Sequence, residues 1–187
     1  MSLTDRLRGT NLYLIGMMGS GKSSTGKALA HRLGYQFFDT DAVVEAAAGQ
    51  RISTLFAEQG EAAFRQLETQ VLAQLSAYRR LVIATGGGIV TQPSNWSYLH
   101  HGLVVWLDLP LEALEHRLAG DRQRPLLQNP HWQQTLATLL AQRQPLYAQA
   151  DVRVAIGAAE TVETVVDRCL ALVEERIRAD TNLIPHN

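Results

Sequence analysis

From Leu12 to Leu33 an apolar tetrapeptide, LYLI, runs into a glycine-rich turn, GMMGSG, and then into a helix-forming stretch, KSSTGKALAHRL. Gly16, Gly21, Lys22 and Ser23 fit the pattern G-x-x-x-x-G-K-[ST], in the strand–loop–helix setting that the pattern requires. Glycines let backbone N–H groups curl around an anion without Cβ clashes. The following helix turns the positive end of its dipole to the same place. Gly19, Ser20, Gly21, Lys22, Ser23 and Ser24 are therefore the candidates for cradling a nucleoside triphosphate. Lys22 would reach the β- and γ-phosphates and the Ser23 hydroxyl would bind Mg²⁺.

Short apolar segments alternate with helical ones along the rest of the chain. The expected strands are Leu12–Ile15, Gln36–Phe38, Leu81–Ala84, Leu103–Leu107 and Val152–Ala155. Expected helices cover Lys22–Leu33, Ala42–Ala48, Glu61–Ser76, Leu111–Ala119, Trp132–Gln149 and Thr161–Arg178. Such alternation predicts an α/β fold, a parallel sheet with helices on both faces. At 187 residues the chain is sized for one domain. A polar stretch with two arginines and two prolines, Ala119 to His131, interrupts the alternation and predicts a mobile loop. The last nine residues, from 179 to 187, read as a flexible tail.

A phosphate loop alone does not say where the phosphate goes. In a parallel sheet ligands gather beyond the carboxyl ends of the strands. Asp39 and Asp41 follow the second expected strand and Gly86, Gly87 and Gly88 follow the third, so both groups should join the loop there. Asp41 can orient a hydroxyl or take its proton. Arg65 offers a planar fork for a carboxylate, and the glycines allow a ligand to approach the backbone. Asp39 could hold Mg²⁺ through water. Each residue has a plainer reading: a helix N-cap for either aspartate, above all Asp41; a solvated Arg65–Glu68 ion pair; an ordinary turn at the glycines.

Six stretches, GMMGSGKS from Gly16, FDTD to Asp41, GEAAFRQLE from Gly60, GGG from Gly86, RPLL from Arg124 and RQPLY from Arg143, together resemble shikimate kinase in order and spacing. The resemblance runs from Asn11 to about Arg178. It implies an adenylate-kinase-like P-loop fold with a five-stranded parallel sheet and a mobile lid over about 119–131. It also implies transfer of the ATP γ-phosphate to the 3-hydroxyl of shikimate, in aromatic amino acid biosynthesis. By position, Asp41, Arg65, Arg143 and the glycines around Gly87 would bind shikimate, within an acceptor region at about 40–68. Arg124 would reach the phosphates from the lid, Arg117 would lie near the adenine, and Ser23 would ligate Mg²⁺ with Asp39 in its outer shell. Lys22, Asp41 and Arg124 would be the catalytic residues. Ser24 stands where threonine is usual and Gln149 where glutamate is usual; neither position is an implied ligand.

Other features are read as structural. Asp108, after the apolar run VVWL, is expected as a turn residue rather than a metal ligand. Adjacent His100 and His101 should diverge, the tryptophans should pack, and neither zinc nor an iron–sulfur cluster is expected. Cys169 sits on an apolar helical face and should be a core thiol. Net charge is −1 and the pI about 6.6, which excludes nucleic acid as the main partner. No apolar run approaches the about 20 residues of a membrane span, and the start has no signal-peptide region, so a cytoplasmic protein is expected; the resemblance implies shikimate and ATP as its partners, and a monomer is expected. The competing readings are a kinase for another polyol acid such as gluconate, and a kinase-like module that binds nucleotide without transfer.

Overall fold

The structure is a computed structural model and describes residues 2–121 and 125–182. In chain order the elements are α1 (Leu3–Leu7), β1 (Leu12–Ile15), α2 (Lys22–Leu33), β2 (Gln36–Asp39), α3 (Thr40–Ala48), α4 (Ile52–Ser76) and β3 (Leu81–Ala84). Then follow α5 (Pro93–Leu99), β4 (Leu103–Asp108), α6 (Leu111–Leu118), α7 (Trp132–Tyr147), β5 (Val152–Ala155) and α8 (Val162–Asn182). Among the described residues the five strands form one sheet in the order β2-β3-β1-β4-β5. Every pairing is parallel, with Leu12 opposite Val82 on one side and Leu103 on the other.

The sequence pattern explains this order of burial. β1 and β3 are apolar at every position and buried on both faces, as central parallel strands must be. β5, at an edge, alternates buried and exposed residues. Helices flank the sheet: α2 packs on β3 and α8, α8 also on β5, and α4 on α3 and α5. Cys169 lies wholly inside this core on α8, where burial pushes its thiol up to about 12.

The expected elements all form, with shifted ends. β2 runs on to Asp39 and β4 to Asp108, and α3 starts at Thr40. α4 starts at Ile52 rather than Glu61, and Gly60 breaks it internally at φ 82, ψ 174. α1 and α5 were not foreseen. The helix expected to end at Arg178 continues to Asn182, so the predicted tail is ordered through 182; residues 183–187 lie outside the described part. In the polar loop a 3₁₀ turn spans Pro125–Gln128, while Arg124 lies outside the described residues. Among the described residues no helix is long and apolar enough to cross a membrane.

Candidate active site

The phosphate loop sits between β1 and α2 at the carboxyl edge of the sheet. Gly16 presses on β4 so closely that a Cβ there would fall 2.6 Å from the Leu107 carbonyl oxygen. Lys22 is buried, and its ammonium donates to the carbonyls of Gly16 and Met17, each at 2.8 Å. It is thus held across the loop mouth. Ser20 is buried within the loop, whereas Ser23 and Ser24 are exposed in the first turn of α2. α2 starts from Gly21 with no side-chain cap and no acidic residue in its first turn. The helix therefore brings no cap or acidic residue of its own to its first N–H groups and positive dipole end, which suits an anion. Arg117, on α6, lies along the loop, donating to the Gly19 carbonyl at 3.4 Å and passing Gly21.

Beside this loop the Ser23 hydroxyl donates to Asp39 Oδ2 at 2.5 Å. The other Asp39 oxygen accepts from the Asp41 N–H at 3.0 Å and caps α3. The N-cap is therefore Asp39 and not Asp41, because the strand runs one residue further than expected. A hydroxyl and a carboxylate at the phosphate edge are hard oxygen donors, the kind Mg²⁺ takes alongside substrate phosphates and water. Among the described residues no cluster of three His, Cys, Asp or Glu side chains could cage an ion alone.

The acceptor side is organised by the turn after β3. A Cβ on Gly86 would overlap the Glu68 carboxylate and come within 2.9 Å of Asp41 Oδ1. One on Gly87 would stand 3.6 Å from the Arg143 guanidinium and 3.3 Å from the Met18 N–H nitrogen of the phosphate loop. One on Gly88 would fall inside the Arg65 guanidinium. Room made by the glycines is thus filled by the protein's own charged side chains, rather than only by a ligand as expected. Asp41, Arg65, Arg143 and the phosphate loop meet there, and a cleft of about 800 Å³ runs over Ser23, Asp39, Asp41, Arg65 and Arg143.

Two residues that complete this arrangement were missed. Glu68 is fully buried and accepts from Arg65 at 2.7 Å, so the pair is not a solvated one. Burial pushes the Glu68 carboxyl up; the charge and hydrogen bond of Arg65 oppose this, and Asp41 adds to it. Arg65 also donates to the exposed Glu61, which fixes its fork from both sides. Tyr147 is fully buried at the end of α7, and its hydroxyl donates to the Gly87 carbonyl at 2.6 Å. Lying one helical turn beyond Arg143, it ties that turn of α7 to the glycine turn. The i+4 spacing in RQPLY was the available signal. α7 passes through Pro145 to Tyr147, and the proline, having no N–H, leaves the Ala141 carbonyl without its helical donor.

The residues read as structural are placed accordingly. Asp108 pairs with Arg153 at 2.6 Å, and the same guanidinium lies 4.9 Å from the Trp106 ring centroid. His100 faces Trp96 and His101 faces Tyr98, so the two rings part.

Known proteins share this sequence pattern and fold. Residues 18–174 match the sequence profile of the family described as shikimate kinase. The chain belongs to the shikimate kinase family. A shikimate kinase of Thermosynechococcus vestitus is 58% identical over 170 residues, covering 91% of this chain and 93% of that protein. One from Synechococcus elongatus is 50% identical over 185 residues, covering 99% and 97%. The solved shikimate kinase of Acinetobacter baumannii in complex with shikimate superposes with a TM-score of 0.88 at 36% identity, over 93% of this chain and 98% of that one. Family membership makes this chain an ATP-dependent kinase and sets aside the gluconate-directed alternative.

Proposed function

We propose that this chain transfers the γ-phosphate of ATP to the 3-hydroxyl of shikimate, giving shikimate 3-phosphate and ADP. The observation that carries this reading is the meeting of two guanidiniums, a carboxylate and the phosphate loop on one glycine turn. Arg65 and Arg143 supply two forks for the carboxylate of a small acid, and Asp41 accepts hydrogen bonds from its hydroxyls. Gly86, Gly87 and Gly88 keep these groups within one substrate's reach. Asp41 holds the nucleophilic oxygen in line with the phosphorus; because such transition states are loose, orientation is its first role and proton removal its second.

On the nucleotide side the N–H groups of Gly19, Ser20, Gly21, Lys22, Ser23 and Ser24 would bind the phosphates, with Lys22 stabilising charge on the group in transfer. Ser23 as a ligand and Asp39 from the outer shell would hold Mg²⁺, which would offset the charge of the phosphates. Arg117 would flank the nucleotide. Residues 119–131 would form a lid that brings Arg124 to the phosphates and excludes water. The near-neutral charge supports small molecules rather than nucleic acid as partners of this one domain, which would act as a cytoplasmic monomer.

The test is ADP release with Mg·ATP and shikimate, quinate or gluconate. Stimulation by shikimate alone is expected; equal stimulation by gluconate, or none by shikimate, overturns the proposal. Asp41→Asn should lower kcat/KM by about 10²-fold or more and leave ATP affinity near that of the parent. Normal turnover in that variant would reduce Asp41 to a structural group.

A further inference from the structure

A second cavity lies at the opposite edge of the sheet, where the turns leading into β1 and β3 run side by side. It measures about 380 Å³ and is lined by Thr4, Asp5, Arg8, Gly9, Arg79 and Arg80. Three arginines therefore line one small hollow. Asp5 is the carboxylate in the lining, and it is turned to the Ser2 N–H at 2.9 Å as part of the α1 capping box. The described ion pairs engage Arg6, Arg32, Arg65, Arg153, Arg168, Arg176 and Arg178; none includes Arg8, Arg79 or Arg80.

The backbone holds this cluster in place. Arg79 donates to the Arg8 carbonyl at 2.7 Å, and the Arg80 N–H donates to the Gly9 carbonyl at 2.9 Å. A Cβ on Gly9 would lie 3.4 Å from Arg80 Cγ and 3.6 Å from Arg79 Nε, so both side chains cross the same glycine. Arg8 and Arg80 have φ of 50 and 62, and among the described residues they are the non-glycine positions at positive φ. Glycine would relieve both, so arginine stands there against the local backbone preference.

We propose that this hollow is a second anion site, separate from the phosphate loop, that takes a phosphate group, either free or carried as the monoester of a small molecule. Several planar forks around one concavity suit a tetrahedral dianion, whose oxygens accept many charge-assisted hydrogen bonds. The cavity is at the small end of ligand sites, which fits a phosphate with a short tail.

Backbone amide NMR signals can report on both sites during one titration, Gly9 for the hollow and Gly19 and Gly21 for the phosphate loop. The probes are inorganic phosphate and glycerol 3-phosphate, against chloride at matched ionic strength. The Gly9 signal should shift along a saturable curve; saturation by both probes identifies the phosphate group alone as the ligand, and by the ester alone an esterified one. In Arg8→Gly/Arg80→Gly, which suits both backbone positions, the Gly9 response should weaken by about tenfold or more while the phosphate-loop response persists. A Gly9 shift no greater than in chloride, or one that survives the double substitution, overturns the proposal.

Discussion

Arg65 and Arg143 reach the same glycine turn with different amounts of charge left to give. Arg65 is already engaged by the carboxylates of Glu68 and Glu61, whereas Arg143 meets the neutral Met17 sulfur at 3.9 Å and the Tyr147 hydroxyl. Arg143 should therefore supply more of the attraction for an acidic substrate. Arg143→Ala is expected to weaken shikimate binding by about 2–5 kcal/mol, and Arg65→Ala by less; calorimetry on both variants checks the order, and a larger loss in Arg65→Ala contradicts it. Glu68 gives a second prediction. Its folded pKa is raised by burial, so its contribution to stability is present at acid pH and is lost as pH rises through that value. Glu68→Gln removes this dependence. Its melting temperature relative to the parent should improve between pH 5 and pH 8, by roughly 2–4 °C per 1 kcal/mol, while its KM for shikimate rises because Arg65 loses a fixed partner. A melting difference that shrinks toward pH 8 contradicts the sign.

At the scale of elements, the break in α4 is the feature with the clearest energetic signature. Gly60 has φ 82 and ψ 174, a region open to glycine alone, yet nothing lies within 4 Å of where its Cβ would be. Gly60→Ala therefore meets no clash and should cost about 1–3 kcal/mol through backbone strain alone, measurable by urea unfolding; an unchanged midpoint would show that the break is relaxed. This glycine also explains what the sequence hid. ISTLFAEQ has no continuous apolar stripe with GEAAF, so the helix was legible only from Glu61 onward. All five strands were legible to within a residue at each end, because each short apolar run ends at, or within two residues of, a glycine or aspartate. α5, PSNWSYL, is short and rich in weak helix formers, and its stability comes from burying Asn95, Trp96 and Leu99. The site was legible where chemistry sits in a motif, as at Lys22, Ser23, Asp41 and Arg65. It was hidden where a residue acts by burial, as Glu68 and Tyr147 do, since exposure is decided by neighbours distant in sequence.

Across the whole molecule, chemistry and charge are divided between the two edges of one sheet. The carboxyl edge gathers the phosphate loop, the Asp39–Asp41 turn, the glycine turn and the two acceptor arginines. The amino edge carries Arg8, Arg79 and Arg80. The strand order that makes this division also governs how the protein can come into being. β1 is made first but sits centrally, and its neighbours are β3 and β4, reached only at Leu81 and Leu103. A growing chain must therefore carry the fully apolar Leu12–Ile15 without a partner until nearly half of its length has been synthesised, and with one flank open until more than half has been, and these long-range pairings close slowly. A chain stopped after residue 100 should expose one flank of β1 and be cleaved rapidly by protease, whereas one extended past Asp108 should gain protection there; equal cleavage would count against this order of assembly. The strand that presents the phosphate loop is thus the earliest made and among the last to be sheltered, and the nascent chain depends on its surroundings on the ribosome to keep that strand from pairing elsewhere.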